Sequence, residues 1–194
     1  MVDVAKNLLA IKAQLPEGVE LTAVSKFHPD EYITAAYNVG QRIFGESHEQ
    51  ELARKAASLP KDIHWHFIGH LQTNKVKYIA PYISMIESVD SIRLLREIEK
   101  QGARCGRRIR VLLELHIAEE ATKYGLTPDD CRSLLADGEW QQMEHVEICG
   151  LMMMASHTDD HDQIAREMDT AHSFFDEVRG KYFADQPSFR YRSW

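Results

Sequence analysis

The sequence predicts an α/β protein whose parallel strands are joined by crossover helices. Short apolar runs alternate with amphipathic stretches about seven times from residue 21 onward, the pattern of strand–helix–strand units. No Ser/Gly-rich linker or shift in composition interrupts them, so residues 1–194 are expected to form one domain. The first strand–helix turn reads SKFHPD, without the glycine fingerprint of a dinucleotide site, and no Walker sequence occurs. Two architectures remain, an open doubly wound sheet and a TIM-type (β/α) barrel, and the barrel is favoured. An eight-unit barrel takes about 250 residues. This chain has 194 and reaches only an apparent seventh strand, so the barrel is expected to be incomplete at its C-terminal end.

The elements follow in order. VDVAKNLLAIKAQL, residues 2–15, has Val4, Leu8, Ile11 and Leu15 at helical spacing, with Lys6, Asn7, Lys12 and Gln14 between them. It lacks the unbroken apolar core of a signal peptide. LTAVSK, residues 21–26, reads as a short buried strand between Pro16/Gly18 and Pro29. PDEYITAAYNVG is a helix with Pro29 in its first turn and Gly40 as its stop. RIFG (42–45) is a strand and EQELARKAASL (49–59) a helix. HWHFIG (64–69) is a strand, LQTNKVKYIA (71–80) a helix stopped by Pro81, and YISMIESV (82–89) a strand. SIRLLREIEKQG (91–102) is an amphipathic helix ending at Gly102, and RIRVLLELHI (108–117) a longer strand. TPDDCRSLLADG (127–138) is a helix with Thr127 as N-cap, and HVEICGLMMM (145–154) a strand. HDQIAREMDTAHSFFDEVRG (161–180) is a long helix, and SFRYRSW (188–194) one more strand.

Composition narrows the function. A net charge of −7 and a pI near 5.8 argue against a surface that tracks phosphates, so nucleic acid is not an expected partner. No run of eighteen apolar residues occurs, so no membrane span is expected. Cys105, Cys131 and Cys149 are too few and scattered for a disulfide framework or a CxxC metal site, and a reduced cytoplasmic setting suits them.

In either architecture ligands bind at the carboxyl ends of the strands. Those ends carry Lys26, then Glu46 and Ser47, Gly69 and His70, Ser88 and Asp90, His116, and Ser156 and His157. Lys26 stands out, because partial burial favours a neutral amine, and a neutral amine condenses with an aldehyde to a Schiff base. Pyridoxal 5'-phosphate (PLP) is the commonest biological aldehyde held in this way. The plainer alternative is a lysine that snorkels from the barrel rim or pairs with Glu46.

AVSK, GQRIFGES, WHFIGHLQTNK and GLMMM, in this order and spacing, resemble the pyridoxal phosphate homeostasis protein family, whose barrel is similar to the N-terminal domain of alanine racemase. WHFIGHLQTNK is the most specific piece, and the resemblance runs from about Leu21 to Trp194. It implies that Lys26 is the Schiff-base lysine, that the barrel mouth holds PLP, and that the protein binds, buffers or delivers the cofactor to PLP-dependent enzymes without appreciable turnover. Two departures stand out. Where the family reads FGEN, this chain reads FGES, so Ser47 replaces an amide by a single hydroxyl. The family also continues with a Gly-Met-Ser turn and an Arg-Ile-Gly strand end that hold the phosphate and face the pyridine ring. The chain reaches neither, which implies a domain truncated before its last βα unit and a weakened phosphate site.

Other chemistry has to be weighed. His64, His66 and His70 cluster around the third strand, and His157 and His161 could share a helix face, the outline of a metal-dependent barrel hydrolase. No acidic residue ends the third or sixth strand, so no metal is expected; His66 instead packs in the barrel near the ring. Alternation sends Met152 and Met154 to one face and Met153 to the other, giving Met152 either a core position or contact with a ring. Lys123, in AEEATKYG, is a candidate second amine, and Lys75 and Lys77 read as surface charges. A PLP-dependent racemase would need an acid or base on each face of the substrate carbon. Lys26 supplies one, so the expected role is binding and not catalysis.

Overall fold

Each apolar run becomes one strand of a single sheet. A computed structural model describes residues 3–117 and 124–194. The strands are β1 (Ala23–Val24), β2 (Ile43–Glu46), β3 (His64–Phe67), β4 (Met85–Val89), β5 (Ile109–Leu115), β6 (Val146–Met153) and β7 (Tyr191–Ser193). They pair in parallel in the order β1-β2-β3-β4-β5-β6-β7. A doubly wound sheet reverses its strand order at a switch point; this one never does. A single winding therefore selects the barrel-type arrangement.

The helices are α1 (Val4–Lys12), α2 (Asp30–Asn38), α3 (Glu49–Ser58), α4 (Val76–Ile79), α5 (Ile92–Cys105), α6 (Pro128–Asp137) and α7 (His161–Tyr182). All seven pack onto one face of the sheet in one core, through residues such as Leu8, Ile33, Leu52, Ile79, Leu95, Leu135 and Phe175. The other face carries a small cluster of its own, Met85, Leu112, Cys149 and Met152, with Tyr191 against it. Alternation thus divides the three methionines as expected: Met152 faces inward, Met153 joins the helix-side core, and Met154 is 51% exposed.

Local chemistry sets the helix ends. Thr127 Oγ1 accepts from the Asp130 amide at 3.1 Å and caps α6, which stops at Gly138 with φ 76°. Ser91 caps α5 in the same way. The expected stop at Gly102 is corrected: α5 runs on to Cys105 and ends at Gly106, whose φ is 61°. Gly102 serves packing, since a Cβ there would lie 2.9 Å from both the Arg107 carbonyl oxygen and the His145 Cβ. α7 likewise passes through Gly180 to Tyr182. Residues 71–80 are less helical than the apolar spacing suggests, with a 3-10 turn at Thr73–Lys75 followed by the single turn of α4. Lys75 is tied to Glu49 at 2.5 Å, whereas Lys77 is exposed.

Two expectations about burial also change. The LTAVSK strand shortens to two paired residues at the edge of the sheet, and Val24 is 50% exposed. In α1 only Leu8 is buried, while Ile11 is 49% exposed.

The β6–β7 junction depends on a missing side chain. Register shifts between Val111 and Leu112, which pair with Ile148 and Gly150, so Cys149 is the extra residue of a bulge. Gly150 then pairs with Tyr191 so closely that a Cβ would lie 1.9 Å from the Tyr191 carbonyl oxygen. The Arg190 amide donates to the Cys149 carbonyl at 2.8 Å, and Phe189 stacks on Phe183 (4.1 Å, 7°) and Phe175 (5.0 Å) just before β7. Gly150→Ala should therefore cost about 3 kcal/mol or more, read by urea unfolding, because backbone must move to admit the methyl group. Gly180→Ala, in a helix with open space around it, should gain up to about 1 kcal/mol.

Candidate functional site

The carboxyl ends of the strands form one rim, and Lys26 lies on it two residues past Val24. Its side chain is exposed and forms no ion pair with any described residue. The turn that carries it is tightly specified. The Ser25 amide donates to the Gly45 carbonyl at 2.9 Å and the His28 amide to the Ser25 carbonyl at 3.1 Å. Phe27 has φ 63°, the only positive φ at a non-glycine among the described residues. Glu46, the alternative partner for Lys26, points to the helix side of the sheet and pairs with Lys55 at 2.8 Å; both side chains are 0% exposed. The simple rim ion pair is thereby ruled out.

Inside the curve of the sheet, Val24, Gly45, His66, Met85 and Arg110 follow one another across adjacent strands. His66 is buried, and its Nδ1 lies 2.5 Å from Glu87 Oε1. A carboxylate only accepts, so Nδ1 is the donor. Ser193 Oγ donates to Glu87 Oε2 at 2.6 Å. This places the carboxylate between serine and histidine; a nucleophilic triad would place the histidine there. Met152 lies on the inner floor with Met85, Leu112 and Cys149. Ser47 follows β2, and the exit from β3 presses on it: a Cβ at Gly69 would come 2.7 Å from the Ser47 Cβ. Lys26, His66 and Met152 thus belong to the inner face and its rim, with Ser47 at the rim between the first and third strands.

Other rim residues have structural duties. Ser156 donates its amide and hydroxyl to Glu167 at 2.7 and 2.6 Å, fixing the exit of β6 to α7. His70 stacks on Tyr124 at 3.8 Å and pairs with Asp90 at 3.3 Å, linking the loops after β3, β4 and β5. Lys123 lies outside the described residues. The histidines do not gather: His64 is exposed at the start of β3, His66 is buried, and His70 lies on the rim. His157 precedes α7, which begins at His161, so the two share no helix face. Among the described residues no group of three His, Cys, Asp or Glu could hold a metal ion.

Glu114 was not singled out from the sequence, although a charge inside the apolar run VLLEL was its signal. It is 3% exposed, and its Oε2 has no hydrogen-bond partner. Burial, helped by the neighbouring Asp90 charge, pushes its carboxyl up to about 7.

These features define a singly wound barrel of the alanine racemase N-terminal type, and the sequence model of the family described as "Alanine racemase, N-terminal domain" matches residues 2–191. Two relatives called pyridoxal phosphate homeostasis protein align with it. The Schizosaccharomyces pombe protein is 37% identical over 71% of this chain and 58% of its own length, and that of Helicobacter pylori 33% identical over 83% and 73%. The chain belongs to the pyridoxal phosphate homeostasis protein family. Among solved structures, PipY of Synechococcus elongatus superposes with a TM-score of 0.87 without PLP and 0.83 with PLP bound. Its identity is 33%, over 92% of this chain and 83% of PipY.

The raised Glu114 carboxyl has a measurable consequence. Unfolding returns it to its ordinary 4.5, so the folded state holds an extra proton between about pH 4.5 and 7. Stability must then fall as pH rises through that window. Urea midpoints of wild type should decline there relative to Glu114→Gln, whose profile should be flatter. Parallel profiles would show that Glu114 ionises normally.

Proposed function

We propose that this chain binds PLP as a Schiff base on Lys26 and serves cofactor homeostasis without appreciable turnover of its own. The observation that carries the reading is Lys26: a primary amine on the rim, unpaired among the described residues and set on a turn that fixes its backbone. When bound, PLP supplies an aldehyde for that amine and a ring that draws electrons from whatever is attached to it. The donor set fits the aldehyde end. Lys26 Nζ, in its neutral form, would hold the aldehyde end through a C=N bond, its two hydrogens leaving with the aldehyde oxygen as water. Met152 gives the inner floor an apolar surface, the His66 ring is oriented by its bond to Glu87, and Ser47 offers one hydroxyl at the rim. The names of the relatives and the PLP bound to PipY support the same reading.

A racemase needs a second acid or base opposite the first. Here the inner His66 and Glu87 are engaged with each other and with Ser193, and Tyr124 is stacked on His70. Those groups are thus occupied, and Glu114, with its raised carboxyl and unpartnered Oε2, is the inner acid that a turnover assay has to exclude. The partners we propose are PLP-dependent enzymes that receive the cofactor. The setting we propose is cytoplasmic, which suits three unpaired cysteines; no helix among the described residues is long and apolar enough to cross a membrane.

Borohydride treatment after incubation with PLP should leave a reduced label on the peptide containing Lys26. Lys26→Ala should lose that label and keep its far-UV circular dichroism. A label on another peptide would reassign the site. With PLP supplied, either hand of alanine should racemise no faster than with free PLP. Faster turnover that vanishes in Lys26→Ala would make the protein an enzyme.

A further inference from the structure

Directly beneath the Lys26 turn lies a buried charge cluster. Lys55 is 0% exposed, and each hydrogen of its ammonium group has an acceptor: the Ser25 carbonyl at 2.7 Å, Glu46 Oε1 at 2.8 Å and Glu51 Oε1 at 2.7 Å. Ser25 Oγ donates to the same Glu46 oxygen at 2.6 Å. Glu51 Oε1 also accepts the Phe27 amide at 2.9 Å. The residue before Lys26 and the residue after it are thus both fastened to one ammonium group, directly or through one carboxylate. Lys26 itself is the unfastened residue between them.

We propose that Lys55 is a positioning residue for Lys26, clamping Ser25 and, through Glu51, Phe27, so that the Lys26 amine is presented to the mouth in one geometry. This rests on the reading of Lys26 as the PLP lysine. The cluster is poorly suited to stability alone. One ammonium faces two carboxylates, and Glu46 Oε2 is buried without a partner. Apolar residues of similar volume often replace buried ion pairs without loss, whereas such pairs can specify a single geometry. The geometry specified here is an unfavourable one, the left-handed backbone of Phe27, which persists where its surroundings over-determine it. Burial alone would raise the Glu51 carboxyl, but its bonds from Lys55 and the Phe27 amide together hold it below the usual range. Glu51 therefore remains a charged acceptor at neutral pH.

The test uses PLP with borohydride and follows the labelling rate of Lys26 relative to exposed Lys100, well below the Tm of each protein. Glu51→Ala frees the Phe27 amide and leaves a balanced Lys55–Glu46 pair, so it should fold. Its Lys26 labelling should slow on the order of tenfold or more, since small misplacements cost that much. Glu51→Gln, which still accepts from both donors, should restore most of the rate. Lys55→Met should match or exceed the loss in Glu51→Ala, and if it does not fold, the Glu51 pair decides. Wild-type labelling rates in folded Glu51→Ala would overturn the clamp while leaving the PLP reading intact. Absence of label on Lys26 in wild type would overturn the PLP reading and the clamp with it.

Discussion

A parallel strand must be carried back to the start of the sheet before the next one can begin, and a helix is the shortest self-sufficient way to do it. In this chain every return is made on the same face. That constraint produces the rest of the molecule. One face becomes a continuous apolar interface of strand and helix, the other is left to curve around its own contents, and all the strand ends that could meet a ligand arrive on one rim. The inner face carries the polar side chains of His66, Glu87, Arg110 and Glu114, and there His66 and Ser193 both bond to Glu87.

The helix side shows what such partnering requires. Glu46 is the only acidic residue of β2, and it accepts from a lysine reaching down from α3 and from the Ser25 hydroxyl just past β1, while the same lysine also donates to the Ser25 carbonyl. The cluster lies where the outer core meets the rim. Charge burial, costly almost anywhere else, is here placed directly beneath the turn that carries Lys26.

Much of this was legible in the sequence. Strand–helix cadence, the Thr127 cap and the division of Met152 from Met153 follow from spacing, because each is a local property of a repeating backbone. The place of Lys26 just past the first strand was legible too, since a cation closes that apolar run. Lys55 was not. With Glu51 four residues earlier on an amphipathic helix, it reads as an ordinary surface pair; only the approach of Ser25, 30 positions away, reveals its burial. Gly102 misled for a related reason: a helix-ending glycine and a close-packing glycine look alike until the neighbouring loop is in place. The stack of His70 on Tyr124 joins separate loops, and no periodicity encodes it.

The sequential strand order also has a kinetic side. Each new strand pairs with the one that chain growth has just supplied, so the sheet can lengthen from the amino end without waiting for distant sequence. Contacts across the inner face do not follow this rule. The Ser193–Glu87 hydrogen bond joins residues 106 positions apart, and it can close only after β7 has docked beside Gly150. The polar network around His66 therefore waits for β7, and a growing chain can hold its first six strands before that network closes.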